Sequence, residues 1–191
     1  STERGEMGVH VSHLTNASSA AGPPQGRVHL ERSSVLTPSA CLQELTFTNY
    51  GETTLDVPLC LRCDADFRDI FEVRGVQRSL RGQTVLSCRQ DGLEWSYRGL
   101  DGAQRCTSVH LDVPVQQVGD DHLSLTLTLQ PRQSQRLVLE LAFDRSQGQV
   151  ASPADVEATY AQAMAATVAR FREARRRSAL ITSDNPAFNS W

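Results

Sequence analysis

The chain has 191 residues, of which 39% are hydrophobic and 21% charged, enough for one globular domain with an extension. Nineteen basic residues, all arginine, stand against 22 acidic ones, and the net charge of −3 provides no field for nucleic acid or an anionic membrane. No apolar run approaches the roughly 20 residues of a membrane-spanning helix.

In chain order, residues 1–26 are rich in Ser, Gly, Ala and Pro and read as loop, with a short strand at Val9-His10-Val11. The pattern changes at Arg27. Residues 41–48 alternate, and Asn49-Tyr50-Gly51-Glu52 is a turn signal. Leu55, Val57, Leu59, Leu61 and Cys63 then recur at every second position, the period of a half-buried strand. Pro58 within that run predicts an edge strand or a bulge. Val85 to Arg89 and Leu93 to Arg98 flank Gln90-Asp91-Gly92, which predicts a hairpin. A strand follows over Cys106 to Val115. Leu123, Leu125, Leu127 and Leu129 define one face of the next strand, with Thr126 and Thr128 on the other. Leu137, Leu139, Leu141 and Phe143 repeat that design after a turn at Pro131-Arg132-Gln133-Ser134. Many short strands with regular turns predict a mainly β protein, an antiparallel β-sandwich.

At Ser152 the period switches to helical. Ser152 is placed as an N-cap, with Pro153 at the first helical position and Asp155 in the first turn. Val156, Tyr160, Met164, Val168 and Phe171 form the apolar stripe of one helix of about 25 residues, about 40 Å long. Arginines 170, 172, 175, 176 and 177 crowd its end, where cations suit the helix dipole.

Residues that bear chemistry are few. Five cysteines, at 41, 60, 63, 88 and 106, are an odd number and read as reduced thiols of a cytoplasmic protein. Cys60 and Cys63 stand three apart on a predicted strand, so they face opposite sides and chelate poorly. The five histidines lack ligand spacing beyond His10 and His13, near the start of the chain, and no metal site and no cofactor is expected. Trp95 and Tyr97 share one strand face, the spacing of a sugar-stacking platform and equally of a core pair. The densest stretch is "DADFRDIFEVRG" at 64–75, with six charged and four large apolar side chains. Its acids Asp64, Asp66, Asp69 and Glu72 contain the makings of a glycosidase pair. They also have Arg68, Arg74, Arg78 and Arg81 nearby as ion-pair partners.

Three segments, "HLTN" at 13–16, "ELTFTNYGE" at 44–52 with the 64–75 stretch, and "SDNPAFNSW" at 183–191, occur in that order. Together they resemble the N-terminal domain of bacterial glycogen-debranching-type enzymes, the amylo-α-1,6-glucosidase family. The resemblance implies a supersandwich-like β domain over 1–150, a linker helix over 151–182 and, at 183–191, the first residues of an (α/α)6 catalytic barrel. It implies that family strands preceding the "LTN" motif are lacking here, and that the barrel carrying catalysis lies beyond Trp191. The expected function is therefore a non-catalytic domain of an α-glucan debranching glycoside hydrolase, inactive alone. Its expected partners are the barrel of the same parent chain and an α-glucan or other carbohydrate. Asp66, Phe67, Asp69, Phe71, Glu72 and Arg74 are the candidates for substrate or interdomain contact, with no catalytic residue in this chain. The competing readings are a stand-alone carbohydrate-binding module with Trp95 and Tyr97 as its stacking platform, and an assembly domain that uses the helix.

Overall fold

Eleven strands and two helices account for the regular structure of the computed structural model, which describes residues 2–4, 8–18, 22–89, 92–119, 121–143, 153–179 and 183–185. The strands are β1 (Thr2–Arg4), β2 (His10–Thr15), β3 (Val28–Leu36), β4 (Ala40–Asn49), β5 (Leu55–Arg62), β6 (Gln83–Cys88), β7 (Gly92–Arg98), β8 (Gln104–Leu111), β9 (Gln117–Val118), β10 (His122–Leu129) and β11 (Ser134–Phe143). The helices are the short α1 (Ile70–Val73) and the long α2 (Pro153–Arg177). An eight-stranded sheet of order β1-β2-β3-β4-β11-β8-β7-β6 packs on a three-stranded sheet of order β5-β10-β9. All the pairings are antiparallel.

The smaller sheet follows its sequence pattern. Leu123, Leu125, Leu127 and Leu129 of β10 are all buried toward the larger sheet, while Thr126 and Thr128 are exposed. Each such leucine contributes about 1.5–3 kcal/mol by leaving water. Strand β5 lies at the edge of this sheet, paired only with β10, and Pro58 sits opposite Thr126. The position suits a residue with no N–H to donate.

The larger sheet is covered on both faces. Its inner face supplies Leu45, Phe47, Leu93, Trp95, Val109, Leu111 and Leu137 to the core between the sheets. Its outer face supplies Val35, Ala40, Leu42, Val138 and Ala142 to a second core beneath α2. Residues of even and odd number on β4 and β11 thus both find an apolar partner layer, one above and one below. That double coverage explains why β3 escapes simple pattern reading. Val28 and Leu30 pack inward, Val35 packs outward, and Glu31 and Arg32 break the alternation between them.

Helix α2 lies over the outer face through Val156, Tyr160 and Ala163. Arg136 of β11 ties the two layers. It forms ion pairs with Glu44 of β4 and, at 2.8 Å, with Glu157 of α2, and lies 5.8 Å over the Tyr160 ring. Burial, with help from the nearby Glu44 carboxylate, pushes the Tyr160 hydroxyl up to about 12. The expected stripe holds for its first half only. Met164 and Val168 are half-buried, and Phe171 is 43% exposed because the helix outruns the core beneath it.

Two further differences from the sequence pattern have local causes. Strand β8 stops at Leu111, short of Val115, because Asp112 turns its carboxylate to accept the Val138 N–H at 2.8 Å. The 64–75 stretch contains a helical turn, α1, where no helix was expected. Ser152, the Gln90-Asp91 turn and residues 186–191 lie outside the described residues.

Candidate functional site

The "TNYGE" and "LTN" segments are architectural. Asn49 is fully buried; its Nδ2 donates to the carbonyls of Thr53, Leu129 and Gln130 at 2.8, 3.1 and 3.2 Å, and its Oδ1 accepts from Gly51 N. One side chain therefore joins the turn after β4 to the turn after β10. Asn16 does similar work: its Oδ1 accepts from Val28 N at 3.0 Å, and its Nδ2 donates to the carbonyls of Pro23 and Pro24.

The 64–82 segment is built differently. The chain leaves β5 at Cys63 and reaches Phe67, whose φ of 48° is left-handed, a conformation that costs a non-glycine residue energy and needs outside support. The support is Tyr97 of β7. The two rings stack with centroids 4.9 Å apart and planes 11° from parallel. The Tyr97 hydroxyl accepts from Gly82 N at 3.0 Å, and a Cβ on Gly82 would meet the Tyr97 ring at 2.7 Å. Glycine is required there for the segment to return flat against the ring.

Between Phe67 and Gly82 stands α1, a helical turn closed at both ends. Asp69 is its N-cap: Oδ1 accepts from Phe71 N at 2.8 Å and Glu72 N at 2.9 Å. Glu72 Oε2 accepts from Asp69 N at 3.1 Å, completing a capping box. At the other end Gly75 adopts φ 102°, Val76 N donates to Phe71 O and Gly75 N to Glu72 O. These two bonds are the Schellman pattern. Four ion pairs brace the segment and its neighbour: Arg68 with Asp66, Arg78 with Asp69, Arg81 with Glu72 at 3.4 Å, and Arg105 with Asp101 at 2.9 Å. Arg81 also donates to the Asp66 carbonyl at 2.6 Å.

This accounting assigns the acids. The cap N–H of Glu72, aided by Phe71 N and the Arg78 guanidinium, holds the Asp69 carboxyl below its usual range. The Arg105 side chain, with Ala103 N, does the same for Asp101. A glycosidic general acid needs a carboxyl shifted the other way, so Asp69 is poorly suited to that task. Arg74 is exposed, and its guanidinium makes no ion pair among the described residues.

What the segment leaves in solvent is apolar. Ile70, Phe71 and Val73 are 56, 57 and 67% exposed on the outward side of α1, with Val76 beside them. Behind the segment a cavity of about 430 Å³ opens against the turn between β7 and β8, lined by Phe67, Tyr97, Leu80, Leu100 and the paired Asp69–Arg78, Glu72–Arg81 and Asp101–Arg105. Sequence reading missed Leu80, Leu100, Asp101 and Arg105; only the Asp101-Gly102 turn signal marks that part of the chain.

The two aromatic stacking candidates separate. Trp95 is 5% exposed within the core between the sheets, and Phe67 covers one face of Tyr97. The pair therefore offers no open platform; the inner face of β7 is buried by the second sheet. None of the five cysteines is in a disulfide, and burial, then the neighbouring Cys60, pushes the Cys63 thiol up. Among the described residues no group of three or more His, Cys, Asp or Glu is placed to hold a metal ion, and no helix is long and apolar enough to cross a membrane.

The fold defines an antiparallel β-sandwich domain with a helix on its larger sheet and a braced segment on its rim. A family model described as the N-terminal domain of (some) glycogen debranching enzymes matches residues 1–140, and the chain belongs to that family. Among solved structures it is similar to a human-microbiome protein assigned as a kojibiose phosphorylase, with a TM-score of 0.50 at 14% identity, over 90% of this chain and 21% of that one. The chain thus spans about a fifth of that structure's length. Looser likenesses are to a polysaccharide lyase (10% identity, TM-score 0.41, 71% of this chain and 25% of that one) and to a protein from Escherichia coli K12 assigned as an aldose 1-epimerase (9% identity, TM-score 0.35, 76% and 68%). These likenesses are ones of fold. No curated protein sequence matches the chain.

Proposed function

We propose that this chain is the non-catalytic N-terminal β-sandwich of a cytoplasmic α-glucan debranching glycoside hydrolase of the amylo-α-1,6-glucosidase type. It packs on the (α/α)6 catalytic barrel of the same parent protein through the outward side of residues 64–76 and places that segment at the rim of the substrate cleft. The observation that carries this reading is the inversion at α1. Every carboxylate of the turn is spent on holding its shape, while Ile70, Phe71 and Val73 face water. Three large apolar side chains held in water on one side of a braced turn form the kind of patch that marks an interaction surface. Arg74, at the same tip, supplies a cation for an acid on the partner. The family match supports the choice of partner, and cysteines outside any disulfide fit a reducing compartment.

The test is Phe71→Asp, introduced into the parent enzyme and into this chain alone. In the isolated chain the unfolding free energy should stay within about 0.5 kcal/mol of wild type, as for other exposed positions. In the parent enzyme, docking of the sandwich should weaken by at least about 2 kcal/mol, the scale of an interface anchor, and turnover should fall with it. Unchanged docking and kinetics in the parent would remove the interdomain role.

A further inference from the structure

We propose that the cleft behind α1, between the 64–82 segment and the β7–β8 turn, binds an uncharged saccharide on this domain itself. This rests on the reading above and adds the class of ligand and its site.

Charge is the first argument. Four arginines line the cleft and each meets a carboxylate: Arg78 with Asp69, Arg81 with Glu72, Arg105 with Asp101, and Arg68 with Asp66, which stands just outside the lining. The lining is locally neutral. A phosphate or uronate would have to displace an acid from its arginine, and a cation would meet guanidinium. A neutral ligand faces neither cost.

Hydrogen-bonding capacity is the second. The outer ion pairs are not sealed: the side chains of Arg78 and Asp69 are 49% and 43% exposed, and those of Arg105 and Asp101 are 46% and 55%. The carboxylates are taken up by the turn and by their arginines, but an arginine fork carries five N–H donors, more than Arg78 spends on Asp69. The cleft therefore presents fixed N–H donors held in place by their ion pairs, which hydroxyl oxygens can accept.

Shape and polarity supply the third. Leu80 and Leu100 flank the opening, each 70% exposed, and offer apolar contact to the C–H face of a sugar ring. The volume of about 430 Å³ falls within the roughly 300–1,000 Å³ typical of small-molecule sites. The floor is rigid, because the Phe67–Tyr97 stack and the Tyr97 bond to Gly82 fix the segment to β7, so little ordering is lost on binding.

The experiment titrates maltoheptaose, and separately tri-galacturonate, into this chain while following its backbone amide resonances. Maltoheptaose should shift the amides of residues 78–82 and 97–105, with an affinity insensitive to salt. The exposed substitution Leu100→Glu should weaken it about tenfold, a change of about 1.4 kcal/mol, without altering the melt. Tri-galacturonate should bind more weakly. Absence of maltoheptaose binding, equal or tighter binding of the anionic sugar, or an unaffected Leu100→Glu protein would each overturn the proposal. Phe71→Asp, outside the cleft, separates this from the docking role: saccharide binding by the isolated chain survives it, whether or not docking in the parent does.

Discussion

Helix α2 and the turn α1 both add apolar side chains to a finished sandwich, and they treat them in opposite ways. Helix α2 has 25 residues and buries Val156, Tyr160 and Ala163 on the outer face of the larger sheet. The four residues of α1 are ordered by a capping box, a Schellman closure and ion pairs, and none of them is buried. Order in α2 comes from tertiary burial, which a helix requires for most of its stability. Order in α1 comes from local hydrogen bonds that hold its apolar side outward. The first has its partner within this chain; for the second we propose a partner outside it.

The largest effect should come from breaking the buried member of the pair. Val156→Asp places an unpaired charge in the core beneath α2 and should cost roughly 3 kcal/mol or more. For a chain of this size that lowers the melting temperature by roughly 6–12 °C. An unchanged melt would mean that α2 is not held by the sheet and would erase the contrast. Met164→Asp, at a half-buried position, should cost less.

A smaller and purely local effect is expected at the other member. Asp69→Ala removes two accepted N–H bonds and the Arg78 pair. Limited proteolysis should then cut 64–82 faster, while the global melt is nearly unchanged. Acid should imitate the mutation. The folded Asp69 carboxyl sits below its unfolded value, so its contribution is present above pH ~4 and is lost as pH falls through the folded value. Wild-type and Asp69→Ala cleavage rates should converge in that window and differ at neutral pH.

The smallest effect concerns Asp112, beside the α2 interface, whose carboxyl is raised by burial despite the Val138 N–H. The sign is the reverse of Asp69. A carboxyl raised on folding favours the folded state below its unfolded value, and that advantage is lost as pH rises through the folded value. Asp112→Asn keeps an acceptor for Val138 N and removes the charge, so it should raise the melting temperature slightly at neutral pH and leave it unchanged below pH ~4. A neutral-pH decrease would show that the ionised form is needed at this corner.

The legible parts of the molecule were those with a single burial period. Strand β10, with four leucines facing one core, and α2, with its terminal arginines and first-turn Asp155, follow directly from the residues. Strand β3 did not, because its two halves bury opposite faces against different layers. At the rim, D-x-x-E from Asp69 to Glu72 followed by Gly75 spells a capping box and a C-terminal glycine. That local signal was present in the sequence and was obscured by the density of charge around it. The stacking of Phe67 on Tyr97 and the closure of the cleft by Leu100 and Arg105 join positions about 30 residues apart along the chain, and no local pattern encodes such pairings. Trp95 shows the same limit: two residues from Tyr97 on one strand face, it is buried by a sheet whose position its own segment does not specify.

The central claim is that α1 is shaped for a partner beyond this chain, and amide hydrogen exchange tests it most directly. Residues 70–76 should exchange quickly in the isolated chain, as exposed helical turns do, while β10 and β11 exchange slowly. In the parent enzyme the amides of 70–76 should slow by at least about tenfold, with β10 and β11 unchanged. Equal exchange of 70–76 in the isolated chain and in the parent enzyme would contradict the account.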